Sequence, residues 1–171
     1  MGKLLKVTKL DIESVKKLYE FILASNPKWE ETRKLMIKMG LKQPVEDEEK
    51  LSGFALFYKT IGGSSLGTTG EYLFLEEEVP VVDLRVDYYS DANITDVSYV
   101  TRKDQMHRGY ATAALNEMCQ YIFANTNVEY VRLTIIPMSS LYSKNVALKN
   151  GFEAAGPNEY RKKNPNYIQK L

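Results

Sequence analysis

The 171-residue chain is 44% hydrophobic and 26% charged, an ordinary balance for one soluble domain long enough to bury a core. Its 23 basic and 22 acidic side chains leave a formal charge of +1, so composition offers no global steering toward nucleic acid. Cys119 is the only cysteine, which excludes an intramolecular disulfide and a thiolate zinc cluster; His107 is the only histidine, so a Ser-His-Asp triad would have to use it.

"LLKVTKL" alternates as a short first strand. Thr8 followed by Asp11 resembles a capping box, and "DIESVKKLYEFILA" then sets Ile12, Val15, Tyr19 and Ile22 on one helical stripe. Asn26 as a cap and Pro27 at the first helical position open a second helix, expected over residues 27–39 and stopped by Gly40. Residues 42–70 begin with a charged connector, "PVEDEEK". "FALFY" reads as a short strand or a helical turn, and "TIGGSSLGTTG" as a mobile loop of the size of a functional lid or a disordered segment.

From Gly70 the texture changes. "EYLFLEEEVPVVDLRVDYY" reads as two strands meeting near Glu77–Val79, and "ITDVSYVTR" as a third. A helix follows over about residues 110–125, with Ala111, Leu115, Met118 and Ile122 as its apolar stripe. "EYVRLTIIP" is a strand. "SSLYSKNVALKNG" is a shorter helix capped by Ser139 or Ser140 and stopped by Gly151, and "FEAAG" with "EYRKKN" forms a closing hairpin. The order β-α-α, a run of β, then α-β-α-β-β describes one mixed α/β domain over residues 1–171. No apolar run approaches the roughly 20 residues of a membrane span, and "MGKLLKVTKLD" holds no signal-peptide core, so a cytoplasmic protein is expected.

"HRGYATAAL", residues 107–115, sets a basic, glycine-containing corner before an amphipathic helix. A helix start leaves backbone N–H groups unpaired and carries partial positive charge, so it can hold an anion. An ordinary strand-to-helix turn accounts for the same residues equally well.

Residues 96–152 resemble the GCN5-related N-acetyltransferases (GNAT), which transfer acetyl from acetyl-CoA to an amine. The family's pyrophosphate signature, Gln/Arg-x-x-Gly-x-Gly/Ala, aligns with "MHRGYA": Gly109 and Ala111 match, Met106 takes the Gln/Arg position, and His107 stands where many members have a first glycine. The "RGYAT" form is usual in the branch of ribosomal-protein and related small-amine acetyltransferases. That branch also shows Asn-x-x-Ser, then seven residues, then Gly-Phe. Here Ser143, Gly151 and Phe152 keep the spacing while Ser140 replaces the asparagine. Asp96 falls thirteen residues before Gly109, where the branch often has an acidic strand residue.

The resemblance implies a mixed, mostly antiparallel sheet splayed at its fourth strand and flanked by about four helices. It implies acetyl-CoA as cosubstrate, held by Met106, His107, Arg108, Gly109, Tyr110, Ala111, Thr112 and Ser140. The thioester oxygen would meet a backbone N–H near Tyr99, Val100 or Thr101. Asp96 becomes the candidate proton acceptor for the amine, and Ser143 the group that protonates or orients the leaving sulfur. Tyr142 is a substitute for the tyrosine that many relatives carry at the position of Ala147, with a core role the commoner one for a single aromatic. Trp29 lies where the family places its acceptor-side helices, with a packing role the stronger reading, and Cys119 is expected in the core. The activity implied is direct attack by a primary amine, of a small molecule or a peptide N-terminus, in a ternary complex. A non-catalytic acyl-CoA-binding domain is the alternative. No metal, nucleic acid or membrane partner is expected, and the chain is expected as a monomer or homodimer.

Overall fold

Strand alternation and helical spacing sort the chain into seven strands and five α-helices among the residues that the computed structural model describes, 2–61, 70–89, 92–136 and 140–170. In chain order these are β1 (Lys3–Val7), α1 (Ile12–Ser25), α2 (Trp29–Lys38), α3 (Gly53–Ile61), β2 (Gly70–Glu76) and β3 (Val79–Tyr89). There follow β4 (Ile94–Thr101), α4 (Tyr110–Asn125), β5 (Tyr130–Thr134), α5 (Ser140–Lys149), β6 (Glu153–Gly156) and β7 (Glu159–Lys163). One sheet runs in the order β1-β2-β3-β4-β5-β7-β6, with every neighbouring pair antiparallel except β4 and β5.

That parallel pair is short. Ile94, Thr95 and Asp96 pair with Tyr130, Val131 and Arg132, and the two strands then part. From Val97 to Thr101, β4 is paired only with β3 on its other side, so the sheet opens into a V at its fourth strand. The mixed, mostly antiparallel splayed sheet expected from the resemblance is therefore the fold observed, with five helices around it.

Each face of the sheet carries its own core. Val82, Leu84 and Val86 of β3, Val97 of β4 and Val131 of β5 pack against Leu115, Met118 and Ile122 of α4. Each of the larger of these side chains contributes about 1.5–3 kcal/mol by leaving water. On the opposite face, Leu73 and Leu75 of β2 meet Val15, Leu18 and Phe21 of α1 and Phe57 and Ile61 of α3.

Several local readings shift. Asp11, not Thr8, caps α1, its carboxylate accepting from the Ser14 N–H at 3.3 Å. The buried stripe of α1 is Ser14, Val15, Leu18 and Phe21, leaving Ile12 exposed, because this is the face that meets Leu73 and Leu75. α2 starts at Trp29, since residues 27–28 form a turn and Asn26 donates its side-chain amide to the Thr32 hydroxyl instead of capping. "FALFY" lies inside α3, where Phe57 and Ile61, four apart, are drawn into the core. The stripe of α4 is Ala114, Leu115, Met118, Cys119 and Ile122; Ala111, one turn earlier, is only half-buried. The loop expected to be mobile falls mostly at residues 62–69, outside the described residues, as does Ser139.

Candidate active site

The site is built where β4 runs out. Arg102, just past the strand, bonds its backbone N–H to the Val81 carbonyl and forks onto Asp104 at 2.7 and 2.8 Å, which holds that carboxyl down at about 2. The chain then reverses through two left-handed residues, His107 at φ +62° and Gly109 at φ +82°, and enters α4. Gly109 is the cap residue of α4 and has no side chain, so it gives the opening N–H groups of that helix no acceptor. A Cβ built at Gly109 meets nothing within 4 Å. The backbone angle favours glycine, and the space beside it is open.

This corner forms one wall of a cleft of about 560 Å³. Tyr99, Val100 and Thr101 line it from the freed end of β4, and Met106, His107, Gly109, Tyr110, Ala111 and Thr112 from the corner. The far wall is α5, with Ser143 half-buried and Tyr142 62% exposed. The splay explains the gap: where β5 leaves β4, no strand among the described residues fills the space between α4 and α5.

Inside the cleft the Tyr99 hydroxyl is buried and makes no hydrogen bond among the described residues. Burial raises its pKa above the ordinary phenol value, with the neighbouring Ser143 hydroxyl pulling the other way. His107 and Tyr142 meet edge to face across the mouth, ring centres 4.7 Å apart, so the tyrosine belongs to the cleft rather than to the core. Asn150 is buried behind α5 and donates its amide to the carbonyls of Val146 (2.9 Å) and Thr112 (3.2 Å).

Two of the sequence-derived candidates, Arg108 and Asp96, stand elsewhere. Arg108 lies between two left-handed residues and lines a separate pocket with Gly2, Phe74 and Glu76. The side chain of Ser140 lies outside the described residues. Asp96 is half-buried at the β4–β5 junction, where Arg132 donates to both of its oxygens, Nε to Oδ1 at 2.5 Å and Nη2 to Oδ2 at 2.8 Å. The Arg132 guanidinium also sits over the Tyr89 ring, 5.8 Å from its centre.

Four residues not singled out from the sequence line the cleft: Gln105, Asn145, Val146 and Lys149. For three of them the signal is helical spacing, since Asn145, Val146 and Lys149 follow Tyr142 at i+3, i+4 and i+7 on one face of α5. Trp29 packs edge-on against Tyr19 and Phe57, the packing role expected of it. Cys119 is fully buried, and burial pushes its thiol up to about 12. Among the described residues, no histidine, cysteine and carboxylate cluster could hold a metal ion, and no helix is long and apolar enough to cross a membrane.

A sheet parted at its fourth strand, with an uncapped helix start at the parting, is the fold of the GNAT acetyltransferases, and this chain has it. The ribosomal-protein-S5-alanine acetyltransferase from Vibrio fischeri matches with a TM-score of 0.64 at 11% identity, over 98% of this chain and 96% of that one. A GNAT-family acetyltransferase from Bacillus anthracis matches with a TM-score of 0.57 at 15% identity, over 94% and 92%. The aminoglycoside acetyltransferase AAC(6')-Ib, solved in complex with coenzyme A, matches with a TM-score of 0.62 at 14% identity, over 95% of each chain. No family model matches the chain, and no curated protein matches it.

Proposed function

We propose that this protein is an acetyl-CoA-dependent N-acetyltransferase that acts on a primary amine by direct attack in a ternary complex. The observation that carries the reading is the single cleft in which the freed strand end, Tyr99–Thr101, faces the uncapped start of α4. The open space at Gly109 fits a pyrophosphate, and the N–H groups of Tyr110, Ala111 and Thr112 are the donors suited to hold it. Lys149, on the opposite wall, adds a positive charge that Arg108 does not supply there. Backbone N–H groups of β4 that have lost their β5 partner are available for the pantetheine arm and the thioester oxygen.

Transfer forms a C–N bond and breaks a C–S bond, so the amine must shed its ammonium proton and the departing sulfur must gain one. Ser143 is the hydroxyl placed to give or relay that proton, with the unpaired Tyr99 hydroxyl behind it. Asp96 acts by holding β4 to β5 at the last paired position before the splay, because Arg132 occupies both of its oxygens. An amine of a small molecule and a peptide N-terminus both remain acceptors under this reading.

The test is CoA release from acetyl-CoA, followed with a thiol reagent across an amine panel. The protein's one thiol, Cys119, is buried and will not contribute to the signal. Release that depends on both acetyl-CoA and an amine is expected. Acetyl-CoA binding without release across the panel would favour a non-catalytic acyl-CoA-binding domain.

A further inference from the structure

We propose that Asp83, buried on β3 beside Glu71 and directly across from Val100, is the group that takes the proton from the acceptor amine. This rests on the transferase reading and names a catalytic residue within it.

The placement follows from strand register. Asp83 is paired with Val100 on β4 and with Leu73 on β2, so its side chain shares their face of the sheet, the one covered by α1 and α3. Val100 also lines the cleft, although its neighbours Tyr99 and Thr101 belong to the α4 face. A group carried along the cleft and through the splay therefore emerges beside Val100. Register partners sit about 4.5–5.5 Å apart between Cα atoms, which makes Asp83 the adjacent carboxyl on that face. Asp96 lies four residues further down β4, about 13 Å from Val100, with both oxygens taken by Arg132. Asp87 is paired with Asp96 and is equally remote.

The second observation is an unsatisfied atom. Asp83 is 8% exposed, and its Oδ1 is buried with no hydrogen-bond partner among the described residues. A buried polar atom left unpaired is costly, and such groups cluster where chemistry uses them. Burial, then the charge of Glu71, itself 4% exposed, and then a hydrogen bond between the two carboxyls raise the Asp83 carboxyl to about 8, so the two groups titrate as a pair. Arg85, one register step away on the same face, opposes this only partly, since its guanidinium is exposed and lies 3.4 Å from Glu71. Of the charged groups, Glu71 on β2 and Arg85 on β3 act on it; α1 and α3 meet Leu73 with Val15, Leu18, Phe21 and Phe57. A carboxyl that ionises near neutrality is matched to accepting a proton from an ammonium.

The step balances. The ammonium gives one proton to the Asp83 carboxylate, and the freed lone pair forms the C–N bond at the thioester carbon. The C–S bond breaks, the nitrogen loses a second proton as the amide forms, and the thiolate takes one up. The proton left on Asp83 passes to water when the carboxyl ionises again.

The test compares the wild type, Asp83→Asn and Glu71→Gln, with acetyl-CoA and three acceptor probes: an alanyl-terminated peptide, a seryl-terminated peptide and kanamycin. Asp83→Asn is expected to bind acetyl-CoA as the wild type does and to melt no lower, while kcat falls by roughly a hundredfold near neutral pH, a loss that shrinks at high pH. Glu71→Gln removes the neighbouring negative charge, so the rising limb of kcat against pH moves toward lower pH. The amine's own ionisation cannot produce that shift. Wild-type kcat in Asp83→Asn across the pH range, or a limb unmoved in Glu71→Gln, overturns the proposal and leaves the transferase reading standing. A wild type that binds acetyl-CoA but turns over none of the three probes overturns both.

Discussion

The side-chain amide of Asn150, at the end of α5, donates to the Thr112 carbonyl in the first turn of α4. The bond joins the two helices that wall the cleft, and a second bond from the same nitrogen to Val146 fixes the side chain on α5. One buried amide thus ties the walls together beside the apolar packing of Ala147 and Val146. Asn150→Ala leaves the Thr112 carbonyl without this donor and is expected to cost about 1–3 kcal/mol of stability. Acetyl-CoA affinity should fall by roughly tenfold, as expected for about 1.4 kcal/mol of lost preorganisation. Thermal melting together with calorimetric titration checks both parts. An unchanged affinity in a destabilised protein would show that the wall spacing does not govern binding.

The corner is tested by two substitutions that share one backbone strain. Gly109 sits at φ +82° with nothing within 4 Å of a built Cβ. Asparagine tolerates the left-handed region, so Gly109→Asn should cost about 1 kcal/mol or less and leave acetyl-CoA affinity within a few-fold. Gly109→Asp has a similar backbone cost but puts a carboxylate at the helix start, and affinity should fall by roughly a hundredfold. Titrating both variants with acetyl-CoA isolates the charge. Equal affinities would mean that the corner is a turn before a helix and holds no pyrophosphate.

The Asp96–Arg132 fork offers a contrast with Asp83. Asp96→Asn keeps the shape and weakens the pair, and about 1 kcal/mol of stability should be lost, since both partners are partly solvated. Its kcat should fall only through loosening of the splay, and the pH limb should stay where it is in the wild type. A limb that moves in Asp96→Asn and stays fixed in Asp83→Asn would reverse the two roles.

These assignments also mark what sequence could and could not disclose. The corner was legible because its signals are local: a glycine where φ must be positive, small residues after it, and an amphipathic run behind. Arg108 lines a neighbouring pocket that shares Gly109 and Tyr110 with the cleft, a placement that residue identity does not state. "FALFY" stayed ambiguous because a short apolar run fits either element until a packing partner is known. Asp83 sits in "VVDLRV", where alternation sets it on one face with Arg85. Its burial and its nearness to Val100 arise only when β2 and β4 take their register on either side. A candidate base sought by motif distance is found on β4; one sought by strand pairing is found on β3.

Asp83 also sets a stability signature that needs no substrate. Its carboxyl is raised from 3.8 to about 8 in the folded protein, so between those values the native state holds a proton that the unfolded chain has released. Stability therefore falls as pH rises from about 4 to about 8 through this group, and above that window the full cost of the buried carboxylate is present. Asp83→Asn removes the titrating group and the repulsion from Glu71. The variant should be close to the wild type in stability near pH 4. It should become progressively more stable than the wild type as pH rises, by an amount on the order of a few kcal/mol that levels off past about pH 8. Denaturant unfolding of both proteins at a series of pH values measures the difference directly. A difference that does not vary with pH would mean that Asp83 is ionised at the same pH in both states, and the raised carboxyl would then be withdrawn as support for its role as the proton acceptor.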